Sequence, residues 1–239
     1  MKKATKLIIG ILGIPDCDSE KYSIITLYND YKNVIFNKNC IPFMIPPVKD
    51  VDYFNTKTNE IPEMEEKEKQ IYKEMVDMCD GIIIPGGYRI YEFQKYIVNY
   101  AIEKNIPVLG ICMGMQMLAN IDNDYNCLEK NETNINHSET GKKYVHNVSI
   151  MNGTILSKII GKNEINVNSK HRYHVSKLNN FVVSARSDDG IIEGIELPTK
   201  RFIMGVQWHP EKMYTYDEYE NKIFDKFIEE CKKTNTNNN

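Results

Sequence analysis

The 239-residue chain has the composition of a globular protein that folds around a sizeable core. Hydrophobic residues make up 41% of it, charged residues make up 26%, and the formal net charge is −3. The small negative charge argues against nucleic acid or an anionic membrane as a partner, and no segment approaches the roughly 20 apolar residues of a membrane span. The expected partners are a small-molecule substrate or other subunits, and the sequence allows a homodimer without requiring one.

The six cysteines are scattered along the chain, without a C-x-x-C pair or a short repeated spacing. This usage does not predict a disulfide framework in a chain of this length, and it favours a reduced, cytoplasmic setting. The apolar run from Leu7 to Ile14 is short, contains two glycines and is followed by no small-residue cleavage site. These features are atypical of a signal peptide and favour a buried first strand.

The first half of the chain alternates short apolar runs with stretches of helical periodicity. Strands are predicted at Leu7–Ile11, Ile41–Ile45, Gly81–Ile84 and Ile106–Ile111. Helices are predicted at Tyr22–Asn39, Glu65–Cys79 and Glu92–Lys104, with a further helix after Cys112. The polar stretch Asp50–Glu60 is predicted to be a loop. This alternation is typical of a parallel sheet that is covered by helices on both faces.

The second half begins with a polar stretch, Asp122–Lys143, that is predicted to be irregular. Short strands separated by Asn, Gly and Asp turns are predicted at Val145–Met151, Ile165–Val167, Phe181–Ala185, Ile191–Leu197 and Phe202–Val206. Some should extend the central sheet and others should form a smaller antiparallel layer. A last helix is predicted at Asp217–Lys232. Because no internal repeat is visible, residues 1–232 are predicted to be one domain and residues 233–239 a frayed polar tail.

The segment Gly110-Ile111-Cys112-Met113-Gly114 lies where an apolar strand gives way to a helix. It is the G-x-S-x-G nucleophile elbow with cysteine in the serine position. The flanking glycines permit a tight turn that points the Cys112 side chain at solvent, and the amino terminus of the next helix favours the thiolate. Taken alone, the pattern also fits a buried structural cysteine with incidental glycines.

A second segment, Gly205–Glu211, contains the partners that a thiol nucleophile needs. His209 follows an apolar strand, and Glu211 comes two residues later across a proline that stiffens the turn. His209 can take and return the proton, and Glu211 can orient the imidazole. We therefore predict that Cys112, His209 and Glu211 form a catalytic triad.

A third motif, Pro85-Gly86-Gly87, follows a neighbouring strand. Acyl transfer needs backbone N–H groups that point at the developing oxyanion, and a glycine pair lets the main chain approach a substrate closely. The N–H groups of Gly87 and Met113 are predicted to form the oxyanion hole, with Gly86 in contact with the substrate. A plain loop turn is the alternative interpretation of this motif alone.

Three motifs in this order resemble the class I glutamine amidotransferase fold: Ile-Pro-Gly-Gly, Gly-Ile-Cys-Met-Gly-Met-Gln and Gly-Val-Gln-Trp-His-Pro-Glu. Within it, the chain most resembles the peptidase C26 branch, which includes gamma-glutamyl hydrolases and gamma-glutamyl-gamma-aminobutyrate hydrolase. Val167–His171 and Ser184–Gly194 are also similar to segments of that branch. The resemblance implies an α/β, doubly wound, flavodoxin-like fold, in which a mostly parallel central sheet is flanked by helices and accompanied by a smaller antiparallel layer. It also implies that Gln116, Ser169 and His171 help to hold a gamma-glutamyl group.

The predicted function is a cysteine hydrolase that cleaves a gamma-glutamyl amide through a thioester on Cys112. One alternative is a glutaminase subunit that hands ammonia to a separate synthetase. Others are a different acyl transfer, such as transpeptidation, and a non-catalytic binding module. Met113 stands where the branch often has arginine, and the segment after Gly87 is short. These departures leave the amine side of the bond open.

No cofactor and no metal site are predicted. His171 and His174 form an H-x-x-H pair, but no third or fourth ligand stands at a suitable spacing in the sequence. His171 is therefore predicted to be a pocket residue, on the strength of the resemblance.

Overall fold

The structure is a computed structural model, and it describes residues 6–123 and 127–236. In these residues, the parallel half of the main sheet consists of β1 (Ile8–Leu12), β4 (Ile41–Ile45), β5 (Gly81–Ile84), β6 (Val108–Ile111) and β13 (Ile203–Val206). These strands lie side by side in the order β4-β1-β5-β6-β13. β5, β6 and β13 are buried along their whole length, as strands covered on both faces are.

Beyond β13 the main sheet continues with antiparallel strands. They follow in the order β12 (Ile192–Glu196), β11 (Val182–Ser187), β8 (His146–Ile150) and β9 (Glu164–Val167). A short strand β10 (Tyr173–Val175) pairs with β12 and with β7 (Leu128–Lys130). A separate antiparallel pair is formed by β2 (Ile14–Cys17) and β3 (Ser23–Thr26). The sheet is therefore of mixed direction, with its parallel strands on one side.

Helices cover both faces of this sheet. They are α1 (Asn29–Asn37), α2 (Glu66–Asp77), α3 (Glu92–Glu103), α4 (Met113–Asp122), α5 (Ile155–Ile160) and α6 (Glu218–Thr236), with short 3₁₀ turns at Thr58–Glu60 and Pro210–Lys212. Successive strand residues point to opposite faces, so Ile82 and Ile84 pack with α2, α3 and α4, and Ile83 packs with α1, α5 and α6. This arrangement confirms the predicted doubly wound fold class. In the described part of the chain, no helix combines the length and the apolar content that crossing a membrane requires.

The predicted helix over Tyr22–Asn39 is wrong in its first part. Ser23–Thr26 is strand β3, and the helix begins only at Asn29. The β-branched run from Ile24 to Thr26 favours an extended backbone, and β2 supplies its hydrogen-bonded partner. The apolar spacing of this segment is compatible with a helix and with a strand, and the pairing with β2 selects the strand.

Four short elements, β2, β7, β10 and α5, lie where the sequence pattern predicts none. Helix α5 is capped by Thr154, whose hydroxyl oxygen accepts a hydrogen bond from the N–H of Ser157 at 3.0 Å. The last helix extends beyond its predicted end at Lys232 to Thr236, so the predicted tail is partly helical. Residues 237–239 of that tail and residues 124–126 of the predicted irregular stretch lie outside the described residues.

Candidate active site

Cys112 occupies the sharp turn between β6 and α4. Its backbone has φ 55° and ψ −108°, a conformation that costs free energy for a residue with a Cβ. A Cβ on Gly110 would lie 2.7 Å from the carbonyl oxygen of Gly114, and a Cβ on Gly114 would overlap the carbonyl oxygen of Ile84. The close approach of strand and helix explains why both positions around Cys112 are glycine.

His209 and Glu211 reach the same edge of the sheet from β13. This strand pairs in parallel with β6, with Val206 opposite Ile111, so the residues after the two strands are neighbours. Nδ1 of His209 lies 2.7 Å from Oε1 of Glu211. Because that carboxylate can only accept, Nδ1 carries a proton and Nε2 is left to exchange a proton with another group.

Opposing effects set the pKa of His209. Burial lowers this pKa, but the Glu211 carboxylate and the Cys112 sulfur outweigh burial and raise it to about 10. Glu211 is itself buried, and its Oε2 has no hydrogen-bond partner among the described residues. The negative neighbours therefore stabilise an imidazolium beside the sulfur, which is the state needed to protonate a leaving group.

Tyr31 of α1 is also part of this site. Its hydroxyl accepts a hydrogen bond from the N–H of Gly86 at 2.8 Å. Burial, together with the nearby Glu211 carboxylate, raises the pKa of Tyr31 well above its usual value. Tyr31 thus lies between the glycine turn after β5 and the carboxylate after β13. The sequence pattern assigns it only to the buried face of a helix, because nothing in a single sequence distinguishes this tyrosine from one in the core.

Asn168, at the end of β9, fixes the main chain of His209. Its Nδ2 donates to the carbonyl oxygen of His209, and its Oδ1 accepts from the His209 N–H, both at 2.8 Å. Asn168 belongs to the Val167–His171 segment that resembles the peptidase C26 branch, but the resemblance points to Ser169 and His171 instead. The resemblance of this segment was the feature of the sequence that could have pointed to Asn168. The structure shows that Asn168, rather than Ser169 or His171, contacts His209.

A cavity of about 140 Å³, here called the cysteine cavity, opens beside these residues. It is lined by Tyr28, Tyr31, Gly86, Gly87, Tyr88, Cys112, Lys170, His209, Glu211 and Lys212. The Sδ atom of Met113 lies 3.1 Å from the position that a Cβ on Gly87 would take, so the Met113 side chain packs against Gly87, although Met113 itself does not line the cavity. Within the described part of the chain, neither the Gly87 N–H nor the Met113 N–H donates to a protein acceptor. Both N–H groups are therefore free to bind a substrate oxygen.

The three other predicted substrate contacts make hydrogen bonds within the protein. Nε2 of Gln116 donates to the carbonyl oxygen of Tyr173 at 2.8 Å and to Oε1 of Gln207 at 3.0 Å. The Ser169 hydroxyl donates to the carbonyl oxygen of His137 at 3.0 Å. His171 lies in a buried cluster of histidines. None of the three lines the cysteine cavity, and their contact with a substrate stays a prediction.

Comparison with known proteins places this chain in a family. Residues 89–211 match the Peptidase C26 family. The glutamine amidotransferase-like protein RP404 of Rickettsia prowazekii (strain Madrid E) is 31% identical, over 86% of this chain and 91% of its own length. The chain belongs to the peptidase C26 family. This membership confirms the predicted family and supports a hydrolase.

Two further similarities describe how this peptidase C26 chain relates to larger and to solved proteins. The CTP synthase of Staphylococcus aureus (strain NCTC 8325 / PS 47) is 28% identical over 97% of this chain. The match covers 46% of that protein, so the chain spans about half the length of this relative. The crystal structure of a GMP synthase subunit from Thermoplasma acidophilum superposes with a TM-score of 0.66 at 20% identity, covering 97% of this chain and 96% of that one. The superposition shows that the two share a fold.

Proposed function

We propose that this chain is a cysteine hydrolase of gamma-glutamyl amide bonds. In this proposal Cys112 is the nucleophile, His209 is the general acid and base, and Glu211 orients the imidazole. One observation carries the proposal: the sulfur, the imidazole and the carboxylate follow two adjacent parallel strands and line one cavity. Family membership supports the same class of reaction.

The reaction begins when the Cys112 thiolate adds to the gamma-carbonyl carbon, whose oxygen becomes an oxyanion held by the N–H groups of Gly87 and Met113. His209 gives its Nε2 proton to the departing amine as the carbon–nitrogen bond breaks, which leaves a gamma-glutamyl thioester. A water molecule then adds to the thioester carbonyl and gives a proton to Nε2 of His209. Expulsion of the Cys112 thiolate releases glutamate and restores the starting thiolate–imidazolium pair.

The size of the cysteine cavity favours a small acyl group such as gamma-glutamyl, and the amine side of the substrate must then lie outside it. A second cavity of about 350 Å³, here called the lysine cavity, also borders His209. It is lined by Glu139, Thr140, Gly141, Lys142, Lys143, Asn168, Ser169, Lys170, His209, Lys212 and Tyr216. Lys170, His209 and Lys212 border both cavities, so a substrate that spans them passes these three residues.

The charge of the lysine cavity supports a proposal for the kind of amine that leaves. Lys142 lies 3.7 Å from the Glu139 carboxylate, whereas neither Lys170 nor Lys212 forms an ion pair with any described residue. Two lysines without an ion-pair partner among the described residues, in the lining of both cavities, favour a leaving amine that carries a carboxylate. Gamma-aminobutyrate and a further glutamate both have this chemistry.

A glutaminase subunit that supplies ammonia to a separate synthetase is the second candidate. The similarity to CTP synthase over 97% of this chain favours it, since the chain matches only about half of that relative. In this case glutamine would be the substrate, and ammonia rather than a charged amine would leave. The lysine cavity would then have no role in catalysis.

The experiment that separates the two candidates offers the purified protein glutamine, gamma-glutamyl-gamma-aminobutyrate, gamma-glutamyl peptides and folate polyglutamates. We expect turnover of a gamma-glutamyl amide with an acidic amine, and loss of turnover in Cys112→Ala. The matched control is Cys17→Ala, since Cys17 is the partly exposed cysteine among the described residues and lies outside the cavity lining. Turnover of glutamine alone, and only with an added partner, would support the glutaminase subunit. No turnover and no labelling of Cys112 by a thiol reagent would refute the proposed chemistry.

A second experiment tests the lysine cavity. In Lys170→Met and Lys212→Met, KM for a substrate with an acidic amine should rise roughly tenfold, which corresponds to a loss of about 1.4 kcal/mol of binding. KM for glutamine should change little, because glutamine has no group to place in this cavity. Lys158→Met, on α5 and outside both linings, is the control. An equal rise of KM for both substrates would contradict the assignment of this cavity to the amine.

A further inference from the structure

Three histidines and one glutamate from four separate segments meet in the interior of the protein. They are His137, His146 at the start of β8, His171 between β9 and β10, and Glu193 in β12. All four are buried, with exposed fractions of 3%, 8%, 5% and 0% respectively. We call this group the histidine cluster. It lies apart from the cysteine cavity, since none of the four residues lines that cavity.

The side chains of the histidine cluster converge on one carboxylate oxygen. Oε1 of Glu193 lies 3.2 Å from Nδ1 of His137, 3.4 Å from Nε2 of His171 and 3.6 Å from Nε2 of His146. These three nitrogens and both Glu193 oxygens have no hydrogen-bond partner among the described residues. Unpaired polar atoms that point at one another in a buried site are costly unless a bound group satisfies them.

The opposite nitrogen of each imidazole is held by an acceptor. Nε2 of His137 lies 2.9 Å from the Asp189 carboxylate. Nδ1 of His146 lies 3.0 Å from the carbonyl oxygen of Asn147, and Nδ1 of His171 lies 3.0 Å from that of Tyr173. With the proton on each of these nitrogens, the nitrogen that faces Glu193 presents a lone pair. Metal-binding histidines are oriented in this way.

Protons alone satisfy this arrangement poorly. A single proton can serve one of the three inward nitrogens, whereas charging several imidazoles places like charges together, with ring centroids only 4.5 Å and 4.8 Å apart around His137. A divalent cation would instead accept all three lone pairs and balance the Glu193 carboxylate. In a tetrahedral zinc site with bonds of about 2.0–2.1 Å, neighbouring ligand atoms are about 3.3 Å apart. The distances of 3.2, 3.4 and 3.6 Å from the three nitrogens to Oε1 of Glu193 fit that spacing. The ligand atoms that are farthest apart are separated by 4.8 Å, so they would move slightly closer together around an ion.

We propose that the histidine cluster binds one divalent transition-metal ion of the zinc type, with Nδ1 of His137, Nε2 of His146, Nε2 of His171 and Oε1 of Glu193 as its ligands. Three imidazole nitrogens and one carboxylate oxygen form a ligand set that zinc accepts, and that magnesium and calcium do not prefer. Four protein ligands fill a tetrahedral shell, so the ion has a structural role. A surface cavity of about 370 Å³ is bordered by two of the four ligands, His137 and His171.

The position of the site defines what the ion would hold together. It joins the polar stretch that contains His137 to strands β8 and β12 and to the segment 168–171. That segment contains Asn168, which fixes the backbone of His209, and Lys170, whose carbonyl oxygen lies 4.0 Å from the Cys112 sulfur. Loss of the ion should therefore loosen one wall of the cysteine cavity without removing a residue that reacts.

The test measures metal binding by the full chain, independently of activity. The Cys112→Ala variant serves as background, so that no metal can bind through that thiolate. Protein grown with zinc and then desalted should contain about one zinc per chain. After chelation and titration with Co²⁺, it should show the visible absorption of tetrahedral cobalt bound to nitrogen and oxygen. Addition of zinc should also raise the thermal midpoint of the chelated protein.

Variants locate the ion. In His146→Ala and Glu193→Gln, binding of Co²⁺ should weaken roughly 100-fold. His174→Ala is the matched control, because His174 bonds to Oδ1 of Asn131 at 3.1 Å and lies outside the cluster. It should retain the metal and the cobalt spectrum.

Two results would overturn the proposal. One is a Cys112→Ala protein that contains no stoichiometric metal and gives no tetrahedral cobalt spectrum. The other is a metal that His146→Ala and Glu193→Gln retain with unchanged affinity. If a variant fails to fold, the zinc content and the cobalt spectrum of the Cys112→Ala background decide the question alone.

Discussion

Tyr31 lines the cysteine cavity and holds the glycine turn after β5, because its hydroxyl is the acceptor for the N–H of Gly86. Tyr31→Phe removes that acceptor and leaves a buried N–H without a partner, which shifts the turn that presents Gly87. We expect kcat to fall about tenfold while KM changes little, since the tyrosine acts by positioning. Steady-state kinetics on the best substrate measure both constants.

The matched control is Tyr72→Phe. Tyr72 is also fully buried, and its hydroxyl accepts a hydrogen bond from the N–H of Val48 at 3.1 Å. It packs on the other face of the main sheet from Tyr31. The Tyr72→Phe variant should lose about as much free energy of unfolding as Tyr31→Phe and keep the wild-type kcat. Equal losses of kcat in the two variants would mean that Tyr31 acts only through stability.

Glu211 keeps His209 charged. The pKa of His209 is raised from about 6.5 to about 10, so its contribution to stability is complete below pH 6.5 and is lost as the pH rises through 10. Glu211→Gln keeps an acceptor for Nδ1 but removes the charge, so the pKa of His209 should fall. An NMR titration of His209 should show this fall.

Urea unfolding gives a second measurement of the same effect. Wild type should exceed Glu211→Gln in stability at pH 6, and the difference should shrink towards pH 10.5. Glu103→Gln, an exposed change at the end of α3, should show a constant difference. A His209 pKa that is unchanged in Glu211→Gln would contradict the assigned cause.

At the scale of elements, Trp208 and Glu220 join β13 to α6. Nε1 of Trp208 donates to Oε2 of Glu220 at 2.8 Å, and burial raises the pKa of Glu220 to about 8. The unfolded chain loses this proton near pH 4.5, so the folded state binds more protons between pH 4.5 and 8, and stability falls across that window as the pH rises. Glu220→Gln keeps an acceptor for the indole N–H, and it removes the fall in stability between pH 4.5 and 8 because glutamine does not ionise.

The expected result is that Glu220→Gln is more stable than wild type at pH 8, by about 4 kcal/mol, and that the two converge near pH 5. Chemical unfolding at both pH values measures the difference, with Glu103→Gln again as the exposed control. A variant that is less stable than wild type at pH 8 would show that the Glu220 carboxylate is charged and satisfied in the folded protein.

The parallel strands and their helices are predictable from the sequence, because buried strands read as short apolar runs and the helices carry a clear periodicity. The segment Tyr22–Asn39 misleads because strand β3 becomes recognisable only when β2 pairs with it. The cluster formed by His137, His146, His171 and Glu193 cannot be predicted from spacing either. Its members come from segments that only the completed sheet brings together, whereas His209 and Glu211 stand two residues apart in one motif.

At the scale of the whole molecule, one hydrogen-bonded sheet runs from β4 to β9 and unites the two halves of the described chain. We expect a single cooperative unfolding transition, as for one domain. Trp208, the single tryptophan, reports on the second half, and labelling of the buried Cys79 thiol reports on the first. Their urea midpoints should coincide, and two separate midpoints would indicate two domains.

In the proposed mechanism, the pairing of β6 with β13 is what brings His209 beside Cys112. A ribosome releases Cys112 long before it releases His209, because β7 to β12 are translated between them. Until β13 takes its place beside β6, Cys112 has no imidazole beside it. If the proposed mechanism holds, the nascent chain cannot yet form the thioester, and the rate at which an electrophile modifies Cys112 should rise as folding is completed.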